Sequence, residues 1–198
     1  MARIIGITGG IASGKSTVTE FLRQQSYQVI DADQVVHELQ EPGERLYQAL
    51  LSAFGPAILQ KDGRLDRPKL GAMIFGNPEL LEQSSQIQNQ IIREELAGRR
   101  DLLAGKEDIF FMDLPLLFEL GYESWFDQVW LVDVTEETQL SRLMTRNALS
   151  QEEAEKRIAA QLSLQEKRNR ADVLIDNNGL LELTQEQLRE ALQKLERR

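Results

Sequence analysis

The sequence predicts a three-layer α/β fold on a five-stranded parallel sheet, and three features predict it. Five short apolar segments are spread along 198 residues and separated by stretches of helical character. The first of them is apolar on both faces, as a strand buried between two helical layers must be. A glycine-rich loop follows that strand directly and leads into a helix, the position where nucleotide-binding α/β proteins hold phosphate.

The elements follow in order. Arg3-Ile4-Ile5-Gly6-Ile7-Thr8 reads as the first strand, and Thr17 to Gln24 as a helix with Val18, Phe21 and Leu22 on one face. Gln28-Val29-Ile30 is a second strand, ending at Asp31-Ala32-Asp33. From Gln34 to about Lys106 the pattern is mostly helical, broken at Pro42-Gly43, Gly55-Pro56, Asp62-Gly63 and Asn77-Pro78. Leu80, Ile87 and Ile91 make Glu79 to Leu96 one long helix. This stretch exceeds any single crossover, so 34–106 is expected to form its own helical subdomain. Ile109 to Met112, closed by Asp113, is the third strand and Val129 to Val134 the fourth. Glu136 to about Arg170 reads as helix, Asp172 to Ile175 as the last strand, and Asn177-Asn178-Gly179 as a turn. Thr184 to Leu195 closes the chain as a helix, with Thr184 and Gln187 at capping-box spacing.

Composition narrows the function. Apolar residues make up 41% and charged residues 28%, an ordinary globular balance in a chain long enough for a real core. The formal net charge of −9 works against binding a nucleic-acid backbone. With no cysteine and one histidine, disulfides, thiolate chemistry and His- or Cys-based metal sites are excluded. The N-terminal run lacks the form of a signal peptide, and no apolar stretch reaches the roughly 18–20 residues that span a bilayer. A cytoplasmic protein without nucleic-acid or membrane partners is expected; the oligomeric state stays open.

Gly9-Gly10-Ile11-Ala12-Ser13-Gly14-Lys15-Ser16 fits G-x-x-x-x-G-K-[ST] between a strand and a helix. Backbone N–H groups of such a turn converge on anionic oxygens, and the helix N-terminus adds its positive end. Lys15 would reach the β- and γ-phosphates of ATP, and the Ser16 hydroxyl would coordinate Mg²⁺. Ala12, Ser13, Gly14, Lys15, Ser16 and Thr17 are the nucleotide-binding candidates.

Ligands in open parallel sheets sit beyond the carboxyl ends of the strands. Asp31 and Asp33 close the second strand and Asp113 the third. Asp33 is the candidate to accept the proton of an attacking hydroxyl. Asp31 is either a magnesium-shell residue or a turn and helix cap. Asp113 follows its strand as a magnesium-orienting carboxylate would, though Pro115 and Leu116 come after it. His37, one helical turn past Asp33, reads as a surface or substrate-side residue. Between Gln139 and Arg170 there are seven basic and four acidic residues, so the segment carries +3 in an otherwise −12 chain. Arg142 and Arg146 share a helix face and suit a clamp on transferring phosphates. Most of Lys156 to Arg170 reads as a solvated face with Glu–Arg pairs.

Together these residues resemble the dephospho-CoA kinases, P-loop small-molecule kinases of adenylate kinase-like build. The resemblance runs through Thr8-Gly9-Gly10-Ile11, Gly14-Lys15-Ser16-Thr17, Asp31-Ala32-Asp33, Gly63-Arg64-Leu65-Asp66-Arg67 and Pro115-Leu116-Leu117-Phe118-Glu119. It continues through Gln139, Arg142, Arg146, Gln161, Lys167, Ala171-Asp172 and Ile175-Asp176-Asn177-Asn178-Gly179. It implies ATP-dependent phosphorylation of the ribose 3′-hydroxyl of dephospho-coenzyme A, the last step of coenzyme A synthesis. It also implies Asp33 as general base, Lys15 and Arg142 as its catalytic partners, and Arg146 and Asn177 beside the nucleotide. The implied organisation is a core (1–33, 107–138 and 171–198), a substrate-binding helical insertion (34–106) and a helical lid (139–170). Ala12 stands where the family has glycine, with an ordinary φ expected, and Asn89-Gln90 stands in place of its His-Pro.

Two rivals remain. Asp-x-Asp after the second strand also occurs in shikimate kinase-like enzymes, although the long insertion favours a bulkier acceptor. A GTPase-like switch would read Asn169-Arg170-Ala171-Asp172 as its guanine motif, yet these residues precede a strand and Asp113 has no glycine three residues on.

Overall fold

A computed structural model describes residues 2–197; residues 1 and 198, the outer ends of the expected core ranges, lie outside the described residues. The elements are β1 (Arg3–Gly9), α1 (Lys15–Gln24), β2 (Val29–Asp31), α2 (Ala32–Leu39), α3 (Arg45–Phe54), α4 (Arg67–Phe75) and α5 (Pro78–Ala104). They continue with β3 (Ile109–Asp113), β4 (Gln128–Asp133), α6 (Glu136–Asn147), α7 (Gln151–Ala159), α8 (Leu164–Arg170), β5 (Val173–Asp176) and α9 (Leu181–Glu196). All five strands form one parallel sheet in the order β2-β3-β1-β4-β5.

The register sets the strand ends. Ile7 of β1 lies opposite Asp113 on one side and Trp130 on the other, while Asp133 lies opposite Asp176. One face of the sheet presents Ile5, Ile7, Phe111, Trp130, Val132 and Ile175 to Val18 and Leu22 of α1 and Leu188 and Leu192 of α9. Phe111 meets Tyr27 and Trp130 edge to face, at centroid distances of 5.3 and 5.4 Å. Alternate residues Phe110, Met112 and Leu131 are also fully buried, so both faces are covered, as the continuous apolar strand patterns require.

The chain divides into two compact units, Met1–Ile30 with Leu103–Arg198, and Asp31–Leu102. In the smaller unit, Leu46, Leu50, Ile58, Leu65, Leu70 and Leu96 are buried. Tyr47 donates to Gly63 O at 2.7 Å, and Arg99 pairs with both Glu38 and Glu95 at 2.7 and 2.8 Å. Asp66 caps α4 by accepting from Lys69 N, with Pro68 in the first turn where its missing N–H costs nothing. The long helix runs eight residues past Leu96, and Asn89 and Gln90 lie inside it without a break.

Several sequence expectations change here. The second strand stops at Asp31, and α2 begins at Ala32, so Asp33 is a helical residue. Asp31 is the N-cap, accepting from Gln34 N at 3.1 Å. The basic stretch is three helices, because Ala148 ends α6 in the left-handed region and Ser150 and Ser163 open new helices with full capping boxes. Thr184 caps nothing, since α9 starts at Leu181. Its buried hydroxyl bonds Asp176 O and Asn177 Oδ1, and Gln187 bonds Asp176 N and O.

The solvated-face reading holds for Lys156, which pairs with Glu152 in the open. In the following helix it holds for the exposed Glu166 and Asn169 and fails for Lys167 and, in part, Arg168. Lys167 is fully buried, with Nζ 2.8 Å from Glu119 Oε1, and the same oxygen accepts from Leu162 N at 3.1 Å. Arg168 bonds Asp133 at 2.8 Å, and Arg170 pairs with Glu123 and stacks on Phe118. Removing one partner of a buried pair leaves the other charge uncompensated. Lys167→Ala is therefore expected to lose about 3–5 kcal/mol in urea unfolding, and Lys167→Met with Glu119→Leu to recover part of it.

Candidate active site

β1 delivers the chain into a tight loop. Ser13 N donates to Gly10 O at 3.1 Å and Thr17 N to Gly14 O at 3.0 Å as α1 begins. Gly14 sits at φ 87°, and a Cβ there would land on Asn177 Nδ2, so both backbone and space demand glycine. Ala12 overturns its expectation: its φ is 61°, in the left-handed region, which costs a non-glycine residue about 1–2 kcal/mol.

The start of α1 has no side-chain cap and no acidic residue in its first turn. α2, α4, α6, α7 and α8 are each capped by a side chain. Uncapped N–H groups at the positive end of the helix, beside a glycine-rich turn, make an anion site.

Lys15 extends from the same turn, with Nζ 3.7 Å from Asp113 Oδ1 and both side chains mostly buried. The β1–β3 register makes this contact possible, because it sets the end of β3 beside the loop. A cavity of about 730 Å³ opens beside the loop and is lined by Ala12, Gly14, Ser16, Thr17, Arg142, Arg146 and Asn177 among others. That volume lies within the range of small-molecule sites. Ser16 is exposed there, so its hydroxyl is accessible.

Ala12, Gly14, Ser16, Thr17, Arg142, Arg146 and Asn177 thus share one space, while Ser13 and Lys15 lie in the same loop. Their jobs differ. Arg142 is held in place, its guanidinium donating to Asn177 O at 2.8 Å, whereas Arg146 is exposed and bonds its neighbour Asn147. Asn177 is nearly buried, with Nδ2 donating to Ser13 O at 2.8 Å and Oδ1 accepting from Thr184. It braces the loop from behind. Asp172 accepts from Val129 N at 2.7 Å, so one of its carboxylate oxygens is engaged in strand pairing.

In the smaller unit, Asp33 is exposed in the first turn of α2. His37 Nδ1 lies 2.7 Å from Arg67 Nη2 and must accept, since guanidinium only donates. These two and Arg64 line a cavity of about 320 Å³ that sequence reasoning did not foresee. Its signal was the Gly63–Arg67 motif, whose two arginines had no assigned partner.

Among the described residues no group of three or more His, Asp or Glu side chains is placed to hold a metal ion. Nor is any helix among them long and apolar enough to cross a membrane.

The dephospho-CoA kinase family model matches residues 3–182. The chain belongs to that family. A dephospho-CoA kinase from Streptococcus mutans is 58% identical over 196 residues, covering 99% of each chain. Among solved structures, the Thermus thermophilus protein TT1252 matches at 35% identity and TM-score 0.83, over 98% of each chain. The dephospho-CoA kinase of Campylobacter jejuni matches at 28% identity and TM-score 0.76, also over 98% of each chain. A shikimate kinase from Aquifex aeolicus, at 14% identity and TM-score 0.53 over 96% of each chain, shares the fold alone. Lys15 is the cation that the loop itself carries at the start of α1. Lys15→Ala is expected to lower kcat by about 10²–10³ in a protein that still folds, with some loss of stability because the Asp113 carboxylate loses this cation. Near-parental turnover in the folded variant would remove the loop from the chemistry.

Proposed function

We propose that this chain transfers the γ-phosphoryl group of ATP to the ribose 3′-hydroxyl of dephospho-coenzyme A, giving coenzyme A and ADP. The observation that supports this best is the full-length likeness to dephospho-CoA kinases, in a chain whose open helix end and Arg142 line one cavity of small-molecule size, with Lys15 in the same loop. The hydroxyl oxygen bonds to the γ-phosphorus, the bond from that phosphorus to the β,γ-bridging oxygen breaks, and the hydroxyl proton passes to Asp33. Lys15, Arg142 and the loop N–H groups bind and orient the phosphates and offset their charge. Arg146, exposed at the cavity, adds a second guanidinium, and the cytoplasm is the proposed location.

Mg²⁺ fits this site through the exposed Ser16 hydroxyl, a hard oxygen donor, with phosphate oxygens and water completing the shell. Ser16 would hold the ion, which would supply positive charge to offset the charge developing on the transferring phosphates. In the smaller unit, the cavity at His37, Arg64 and Arg67 suits an anionic acceptor group. We take 34–106 as the acceptor-binding insertion and 139–170 as the lid.

The direct test is phosphate transfer from ATP to a panel of hydroxyl acceptors. Dephospho-CoA is expected to be phosphorylated and shikimate not; transfer to shikimate alone would overturn the reading. For the base, Asp33→Asn keeps shape and loses proton affinity. It is expected to retain ATP binding and lose about 10²–10⁴ in kcat. Asp31→Asn retains the capping oxygen and is expected to stay active; the reverse ranking would move the role to Asp31. For the lid, amide exchange across α7 is expected to slow on adding ATP with Mg²⁺. Exchange unchanged at saturating nucleotide would make α7 a passive surface helix.

A further inference from the structure

We propose that Gln139 and Gln161 are positioning residues that clamp the phosphate loop in its nucleotide-binding shape. The proposal rests on the reading of that loop as the ATP site. Both glutamines grip a single loop residue. Gln139 Nε2 donates to Ile11 O at 2.9 Å, and Ile11 N donates to Gln161 Oε1 at 2.9 Å. Gln139 lies on α6 and Gln161 in the turn between α7 and α8, so the two backbone groups of one residue are satisfied by distant parts of the chain.

The next residue explains why such a grip is needed. Ala12 is held in the left-handed region, a conformation that persists only where its surroundings over-determine it. On one side of it stands Ile11, fixed at both polar atoms. On the other stands Ser13, whose carbonyl is held by Asn177 and whose N–H is held by Gly10 O. With either glutamine gone, Ala12 relaxes toward an ordinary φ and the loop N–H groups no longer converge. Packing agrees: Gln139 is 3% exposed, and a Cβ on Gly10 would strike its amide nitrogen. Glycine at position 10 is thus explained by the clamp.

The two glutamines play opposite parts toward Ile11, one as donor and one as acceptor. A glutamate keeps the acceptor oxygen and loses the donor N–H. Glutamate is therefore tolerated at 161, which is half-buried, and a plain apolar residue is not.

The experiment compares Gln161→Leu, Gln161→Glu, Gln139→Leu and Gln161→Leu combined with Ala12→Gly. It reads amide exchange at residues 10–14 in the protein without nucleotide, and KM for ATP and for dephospho-CoA separately. Gln161→Leu and Gln139→Leu are expected to speed exchange and to raise KM for ATP about tenfold, with KM for dephospho-CoA unchanged. Gln161→Glu stays near the parent in exchange, and it serves if Gln161→Leu does not fold. Ala12→Gly restores part of the ATP affinity lost in Gln161→Leu, because glycine adopts the left-handed conformation without help. A merely structural glutamine would show no such rescue and would move both KM values alike, and either result overturns the proposal. Unchanged exchange overturns the clamp whatever ATP does. The reading of the loop itself stands or falls separately, on whether Lys15→Ala abolishes saturable use of ATP by a folded protein.

Discussion

A loop whose amide groups converge on an anion cannot also pair those groups with itself, and much of the larger unit is organised around that constraint. The carbonyls and remaining amides must be held from outside if the donors are to stay aimed inward. Asn177 holds Ser13 O, Gln139 holds Ile11 O, and Gln161 takes Ile11 N. Each of these residues is itself fixed. Thr184 bonds Asn177, Asp133 O receives Asn177 N, and the buried Lys167–Glu119 pair ties the start of α8 to the segment after β3. The parallel register brings the carboxyl ends of β1, β4 and β5 to one edge of the sheet, where these braces meet. Strain at Ala12 is thus supported by several hydrogen bonds that sequence separation makes expensive to form, but that one rigid sheet makes cheap to keep.

Charge follows the same logic on a larger scale. A chain of net charge −9 repels a nucleoside triphosphate at long range. Attraction has to come from close groups with little water between them. Lys15 and Arg142 are both partly buried, and the end of α1 contributes its dipole with no acidic residue opposing it. The surplus of basic residues between 139 and 170 does not act as a uniform positive surface. Lys167 and Arg168 are engaged by buried or half-buried carboxylates, Arg170 and Lys156 pair with surface glutamates, and Arg142 and Arg146 line the cavity. Internal pairing therefore sharpens the basic stretch into a local site.

The five strands were legible because each carries a short β-branched or aromatic run between turn residues, and apart from the Asp33 end of the second their ends shifted by only about a residue. The loop was legible because its spacing is a direct consequence of backbone geometry. What escaped was long-range. Nothing near Gln139 or Gln161 marks a partner 128 or 150 residues away. Nor does a run such as Glu166-Lys167-Arg168 reveal which charge will be buried. Asp33 was misplaced onto a strand because no glycine or proline marks the turn from β2 into α2; Asp31 itself ends the strand by capping the helix. Thr184 and Gln187 carried capping-box spacing, yet that spacing also fits any two residues sharing a helix face, and here they face the turn after β5. The two true capping boxes, at Ser150 and Ser163, were legible but hidden inside a stretch read as one helix.

The Lys15–Asp113 contact bears on how, in the proposed role, the loop's own charge would be kept ready for phosphate. At 3.7 Å the two groups are closer than a Debye length yet beyond hydrogen-bond distance, so the attraction directs the lysine without locking it. A tight pair here would compete with every incoming phosphate, because desolvated ion pairs strengthen as water leaves. An unpaired Lys15 would carry its desolvation cost with no compensation at all. The intermediate distance follows from the register, since Asp113 lies opposite Ile7 while Lys15 begins the helix eight residues later in the chain. Strand pairing therefore sets not only where the glycine-rich loop stands but how tightly its lysine is held.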